Sequence, residues 1–269
     1  MYGAILGDMI GAPYEFDQGD KTKEFDFFDP RKYVRYTDDT AMSLAIAQAI
    51  MNVGLQADEV AMKAEFVYCM QDIGNRYARG EYGGRFAQWL SSDSPQPYGS
   101  FGNGSAMRVA SIGWFFDTLE RTREVARWSA EVTHNHPEGI KGAESVATAV
   151  FMARTGSSKQ EIKLYVEKNF DYDLSMTCDE IRPTYHHVES CQETVPQAFA
   201  AFLEGADFED VIRNGVSLGG DCDTLTCIAG SMGEAFFGVP KELILECEQR
   251  LPEEFLMILK DFNHFIGRN

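Results

Sequence analysis

Basic residues are scarce in this chain, and nothing in it is arranged to cross a membrane or to hold zinc. Lysine and arginine number 24 against 42 aspartates and glutamates, a formal charge of −18 over 269 residues. Binding phosphate backbones needs clustered Lys and Arg, so the balance argues against a nucleic-acid partner. No apolar run reaches bilayer-spanning length, so no membrane association is expected. The first residues also lack a basic segment followed by an apolar one and a small-residue cleavage site. The six cysteines show neither paired metal spacing nor the density of a small secreted scaffold. They read as reduced thiols in a cytoplasmic protein. Sustained apolar–polar alternation, the mark of a large sheet, is missing. Composition does not break along the chain, and 44% hydrophobic and 12% aromatic residues can fill a sizeable core. One domain over residues 1–269 is expected.

What is present reads as helix. Residues 3–12 place Gly3, Gly7 and Gly11 on one nearly bare face suited to close packing, and Pro13 ends the segment. Residues 41–54 continue with Ala, Met, Leu and Ile as far as Gly54. Residues 57–72 show an apolar face of Val60, Ala64, Val67, Tyr68 and Met70. Pro137 opens a helix to about Ala153, and Asp207 caps residues 208–217. Leu225 to Phe236 form a small apolar helix ended by Gly238, and Pro240 starts the next. The expectation is an all-α, compact domain. Stretches 16–36, 74–104 and 171–194 resist helix assignment. The glycines of the middle one, with Trp89, Tyr98 and Phe101, suggest a ligand-facing loop.

The chemistry concentrates at the two ends. Thr37-Asp38-Asp39-Thr40 and Asp221-Cys222-Asp223-Thr224 each set two carboxylates and threonine hydroxyls before an apolar helix. Such oxygens suit Mg²⁺, Mn²⁺ or Ca²⁺ and suit Zn²⁺ poorly. Taken singly, either cluster is also an ordinary helix cap with acidic residues in the first turn. Gly219-Gly220 ahead of the second implies a sharp bend, or a ligand approaching the backbone. If the fold brings the clusters together, they supply a two-metal site. Glu15 follows Pro13 into a loop, where it can orient water or simply be solvated. Gly102-Asn103-Gly104-Ser105 is either a phosphate-holding turn or a plain turn capped by Ser105. In Thr133-His134-Asn135-His136-Pro137 the zinc spacing is wrong. A neutral histidine that hydrogen-bonds a substrate, or a structural histidine at a helix start, fits better.

Taken in order, Gly7-Asp8, Gly11, Glu15, Thr37 to Thr40, Asn103 to Arg108, Thr133-His134 and Gly219 to Thr224 with Ala229-Gly230 resemble the ADP-ribosylglycohydrolase family. The resemblance implies an orthogonal all-α fold and a binuclear Mg²⁺ or Mn²⁺ site with Thr37, Asp38, Asp39, Asp221, Asp223 and Thr224 as ligands. It also implies that Asn103, Gly104 and Ser105 hold a diphosphate, that His134 contacts the distal ribose, and that Phe101 lies against adenine. Glu15, or a ligand aspartate such as Asp221, would assist proton transfer. Cys222 stands where other members often carry Thr or Ser. The implied activity releases ADP-ribose from a modified protein side chain or a small conjugate; a monomer is expected. A catalytically silent ADP-ribose-binding protein and a metal-dependent nucleotide diphosphate phosphohydrolase are the alternatives.

Overall fold

A computed structural model of the chain describes residues 1–17, 20–78 and 80–267. The glycine-faced segment forms α1 (Tyr2–Gly11), and the last small apolar segment forms α13 (Cys222–Phe237). These two helices pack backbone to backbone. A Cβ at Gly3 would lie 2.2 Å from the Gly230 carbonyl oxygen, and one at Gly7 would lie 2.2 Å from that of Thr226. One at Gly11 would lie 2.6 Å from Asp223 Cα. Any side chain there would prise the helices apart, so the bare face is what joins the two ends of the chain. It also carries Asp8 alongside Asp223.

Between them run α2 (Asp38–Val53), α3 (Glu59–Arg76), α4 (Gly84–Leu90), α5 (Gly104–Met107), α6 (Ile112–Phe115), α7 (Leu119–Glu131), α8 (Pro137–Arg154), α9 (Lys159–Phe170), α10 (Cys178–Ile181), α11 (Cys191–Glu204) and α12 (Phe208–Leu218). Helices α14 (Lys241–Glu248) and α15 (Glu253–Phe265) follow. The fold is all-α: the described residues contain no strand, only an isolated bridge between Gly102 and Ser190. One buried apolar cluster draws on residues from Met1 to Phe262. No described helix is long and apolar enough to cross a membrane.

Several boundaries follow from local chemistry. Asp58 accepts a hydrogen bond from Ala61 N–H at 2.9 Å and starts α3, while Asp207 does the same from Asp210 N–H at 2.8 Å for α12. Three expectations are corrected. On α3, Val60, Ala64 and Tyr68 are exposed, and the buried stripe is Met62, Phe66, Cys69, Met70 and Ile73. Apolar residues lie on two faces of that helix, and the core selects the one bearing Met62 and Phe66. The 74–104 stretch contains the end of α3 and all of α4, because Phe86, Trp89 and Leu90 bury a common face despite the neighbouring glycines. The 171–194 stretch contains α10, held by a Thr177–Glu180 capping box, and the start of α11.

Candidate active site

Three segments meet at the first turns of α2 and α13. Asp8, buried in α1, accepts hydrogen bonds from Thr37 N–H at 2.9 Å and Thr37 Oγ1 at 2.8 Å. It also accepts from Thr40 N–H at 3.1 Å and Thr40 Oγ1 at 2.5 Å. A carboxylate from one helix thus caps another and complements its dipole. Thr224 Oγ1 donates to Asp39 Oδ2 at 3.1 Å, joining acidic clusters 185 residues apart in the chain. The capping reading holds for the first cluster, where Thr37 caps α2 by accepting from Asp39 N–H, but not for the second, because Asp221 at the start of α13 makes no side-chain cap; the two first turns nonetheless face each other.

The carboxylates form two overlapping triads. Oxygens of Asp8, Asp39 and Asp223 lie within 4.8 Å of one another, as do oxygens of Glu15, Asp221 and Asp223. Asp223 belongs to both. Asp38 and Thr224 line the same cleft, whereas Thr37 is not among its lining residues; its hydroxyl lies 2.8 Å from Asp8 Oδ1 and 3.4 Å from Asp39 Oδ2. Asp221 is fixed by Asn103 Nδ2, which donates to its Oδ2 at 2.6 Å and to Thr194 Oγ1 at 3.0 Å.

Glu15 does not stand apart from the cluster, and its loop is tethered. Phe16 N–H donates to the Gly220 carbonyl at 3.1 Å, and Asp17 accepts from Gly220 N–H at 2.9 Å and His187 N–H at 3.1 Å. Gly219 and Gly220 adopt left-handed φ of 75° and 76°. A Cβ on Gly220 would sit 2.7 Å from the Tyr185 ring. The sharp bend is real, and the group pressing on it is the protein's own Tyr185.

Burial and mutual repulsion set the electrostatics. Burial, then Asp223 and Asp8, holds Asp38 and Asp39 well above the usual carboxylate range. Burial, then Asp221 and Asp8, does the same to Asp223. Asp8 is raised by burial against the pull of its hydrogen bonds. Burial and Asp223 push Glu15 up to about 8, and burial lifts Asp221 to about 6. Asp39 Oδ1 is buried with no hydrogen-bond partner among the described residues. An orphaned oxygen inside an all-oxygen donor set fits hard divalent cations.

The cleft, of about 350 Å³, continues past Tyr82, Phe86 and Tyr98 to Asn103, Gly104 and His134. Gly102 and Asn103 are held in place by α11: Cys191 N–H donates to the Phe101 carbonyl and Asn103 N–H to that of Glu189, both at 2.9 Å. Phe101 is not among the residues lining the cleft; it is 49% exposed, with its ring edge-on to His136. Ser105 is placed differently from expectation. Its hydroxyl is fully buried and donates to the Gly139 carbonyl at 2.8 Å, away from the cleft, because α5 turns that side chain onto α8.

The family model for ADP-ribosylglycohydrolase matches residues 1–262. The chain belongs to that family. It is 28% identical to the ADP-ribosylhydrolase ARH3 of Bos taurus, covering 91% of this chain and 87% of that one. It is 25% identical to the ADP-ribosyl-[dinitrogen reductase] glycohydrolase of Rhodospirillum rubrum, covering 88% and 84% respectively. A solved structure titled ADP-ribosylglycohydrolase-related protein complex superposes with a TM-score of 0.67 at 21% identity, over 99% of this chain and 92% of that one. At that identity it speaks for the fold alone.

Sequence reasoning left Asp8 out of the site, although a signal was available. Asp8 is the one charged residue in an otherwise apolar helix and lies between Gly7 and Gly11. A carboxylate on the face that packs most tightly cannot be solvated, so it must have buried partners.

Proposed function

We propose that this protein is a metal-dependent hydrolase that cleaves the glycosidic bond between ADP-ribose and a modified side chain or small acceptor, releasing intact ADP-ribose. One observation carries the reading: two carboxylate triads share Asp223 at the floor of a cleft, buried except for the half-buried Glu15, and none of the five carboxylates forms a salt bridge among the described residues. Asp8, Asp39 and Asp223 would hold one Mg²⁺ or Mn²⁺, and Glu15, Asp221 and Asp223 the other, with Asp38 and Thr224 beside them. When bound, the two cations supply positive charge that orders ribose hydroxyls and acidifies water.

The remaining work falls to the chain's own groups. Cleavage at the anomeric carbon builds oxocarbenium-like positive charge, which the carboxylate-rich floor favours. Glu15 reaches the cleft beside Asp221 and Asp223, where a carboxylate can exchange a proton with water or with the acceptor. It accepts a proton from the attacking water or passes one to the departing acceptor. Asp221, anchored by Asn103, is the second candidate for that role. Tyr82, Phe86 and Tyr98 form an aromatic wall of the cleft.

The test is mass-spectrometric product analysis on ADP-ribosylated arginine and serine peptides and small conjugates, with and without Mg²⁺. The proposal expects intact ADP-ribose, formed only with the cation. Release of AMP or phosphate would mean a phosphohydrolase, and tight ADP-ribose binding without turnover would mean a silent binding protein.

A further inference from the structure

Arg108, at the C-terminal end of α5, is 1% exposed and lies on the cleft wall. A buried guanidinium ordinarily finds a carboxylate. This one spends its Nη2 on neutral oxygens instead, donating to the Ser129 carbonyl at 2.6 Å and to Thr133 Oγ1 at 2.8 Å. A guanidinium can only donate, so Thr133 Oγ1 is an acceptor in that bond. The Thr133 hydroxyl hydrogen is then available to His134 Nδ1, 2.7 Å away. The opposite arrangement, with Nδ1 donating to Thr133, would leave the hydroxyl hydrogen without an acceptor in a fully buried position.

This chain of donors has a consequence for the cleft. With Nδ1 accepting, the ring hydrogen must sit on Nε2. Nε2 faces Gly102 and Gly104, which line the cleft. A Cβ at either would stand only 3.5 and 3.4 Å from it, so glycine leaves room there for a ligand atom. We propose that Arg108 and Thr133 are positioning residues that lock His134 as a neutral ring with its hydrogen on Nε2, presented to the cleft as a donor to a ligand oxygen. The ring assignment stands on the protein's own hydrogen bonds; only the identity of the acceptor rests on the ADP-ribose reading.

The groups facing the ring favour the same state. Arg108 is bonded to the adjacent Thr133, the Tyr98 ring is 5.9 Å away, and the Arg85 guanidinium lies over Tyr98. Burial first, then the Arg108 and Arg85 charges, pushes His134 well below the ordinary histidine range. A second cation has no place beside Arg108, so the donor persists at mildly acidic pH.

The experiment is long-range ¹H–¹⁵N correlation of the histidine rings in the full chain, recorded without metal or nucleotide, together with calorimetry using ADP-ribose and Mg²⁺. Wild type should show the Nε2–H tautomer of His134, unchanged while an exposed histidine titrates near 6.5. Thr133→Val should release the ring into mixed tautomers and weaken ADP-ribose binding about fivefold to tenfold, the scale of one hydrogen bond. Thr133→Ser should restore both. An Nδ1–H tautomer in wild type, ordinary titration there, or a Thr133→Val spectrum identical to wild type overturns the proposal. Should the valine variant not fold, the wild-type and serine spectra still decide it. Failure of wild type to bind ADP-ribose would count against the functional reading alone, because the ring state is measured without ligand.

Discussion

Glu144 and Asp39 are both carboxylates buried on helices, and the protein treats them in opposite ways. Glu144 Oε1 accepts from Arg127 Nε at 2.9 Å, while Oε2 accepts from Arg123 Nε at 3.1 Å and Nη2 at 2.9 Å. Both its oxygens are answered by cations. Asp39 Oδ2 meets the hydroxyls of Thr224 and Thr37, its Oδ1 meets no hydrogen-bond partner among the described residues, and four more aspartates surround it. The chain therefore closes a buried charge with arginine where the charge is structural. At the cleft it leaves a cluster whose balance must come from protons or from added cations.

The largest effect should come from the residue common to both triads. Asp223→Asn should lower Mg²⁺-dependent turnover at least about a thousandfold, the loss expected when a charge clamp at the reacting centre is broken. Glu144→Gln should leave turnover within about twofold and cost about 1–3 kcal/mol of stability, because both arginines lose their counter-charge and one of them then faces an amide NH₂. Steady-state kinetics with ADP-ribose release as the signal, beside urea unfolding, measures both. Equal losses of activity in the two variants would erase the distinction between open and closed clusters.

Glu15→Gln should reduce turnover about a hundred- to ten-thousand-fold by removing proton transfer. Since Glu15 lies in the second triad, Mg²⁺ affinity should fall as well. Calorimetric titration of the variant checks this, and an unchanged affinity would return Glu15 to a role outside the coordination shell.

Stability without metal should depend on pH in a particular direction. The cleft carboxyls hold protons more tightly in the folded than in the unfolded chain, so stability falls as pH rises from the ordinary carboxylate range toward the value of about 8 reached by Glu15. Thermal unfolding in chelator should show that decline, and saturating Mg²⁺ should abolish it. A metal-free melting temperature that rises over that window would contradict the assigned shifts.

The smallest effect should be at Ser105. Its hydroxyl is bonded to Gly139, so Ser105→Ala should lower stability by about 1 kcal/mol and leave ADP-ribose affinity within about twofold. A tenfold loss of affinity would mean that the hydroxyl reaches the ligand after all.

These contrasts also show what the sequence made legible. The glycine spacing of α1 foretold its tight packing, and the doubled Thr-Asp pattern foretold two helix starts carrying carboxylates, one of them capped by Thr37, because spacing and capping are local chemistry. Their convergence depended on a helix pairing between the two ends of the chain, which no local signal encodes. Asp8 was overlooked for that reason: its partners, Thr37 and Thr40, lie 29 and 32 residues away. Ser105 fails in the reverse sense. Its motif suggests a phosphate turn, but the direction of its side chain is set by the packing of α5 on α8, as the exposed and buried faces of α3 are set by the core.

The measurement that tests the central claim most directly is anomalous diffraction from crystals of the protein soaked in Mn²⁺. The account predicts two Mn²⁺ peaks in the cleft, one against Asp8 and Asp39, the other against Glu15 and Asp221, each about 2.0–2.3 Å from a carboxylate oxygen of Asp223 or of its own triad. A cleft without manganese at saturating concentration, or a single ion that leaves Asp223 untouched, would contradict it.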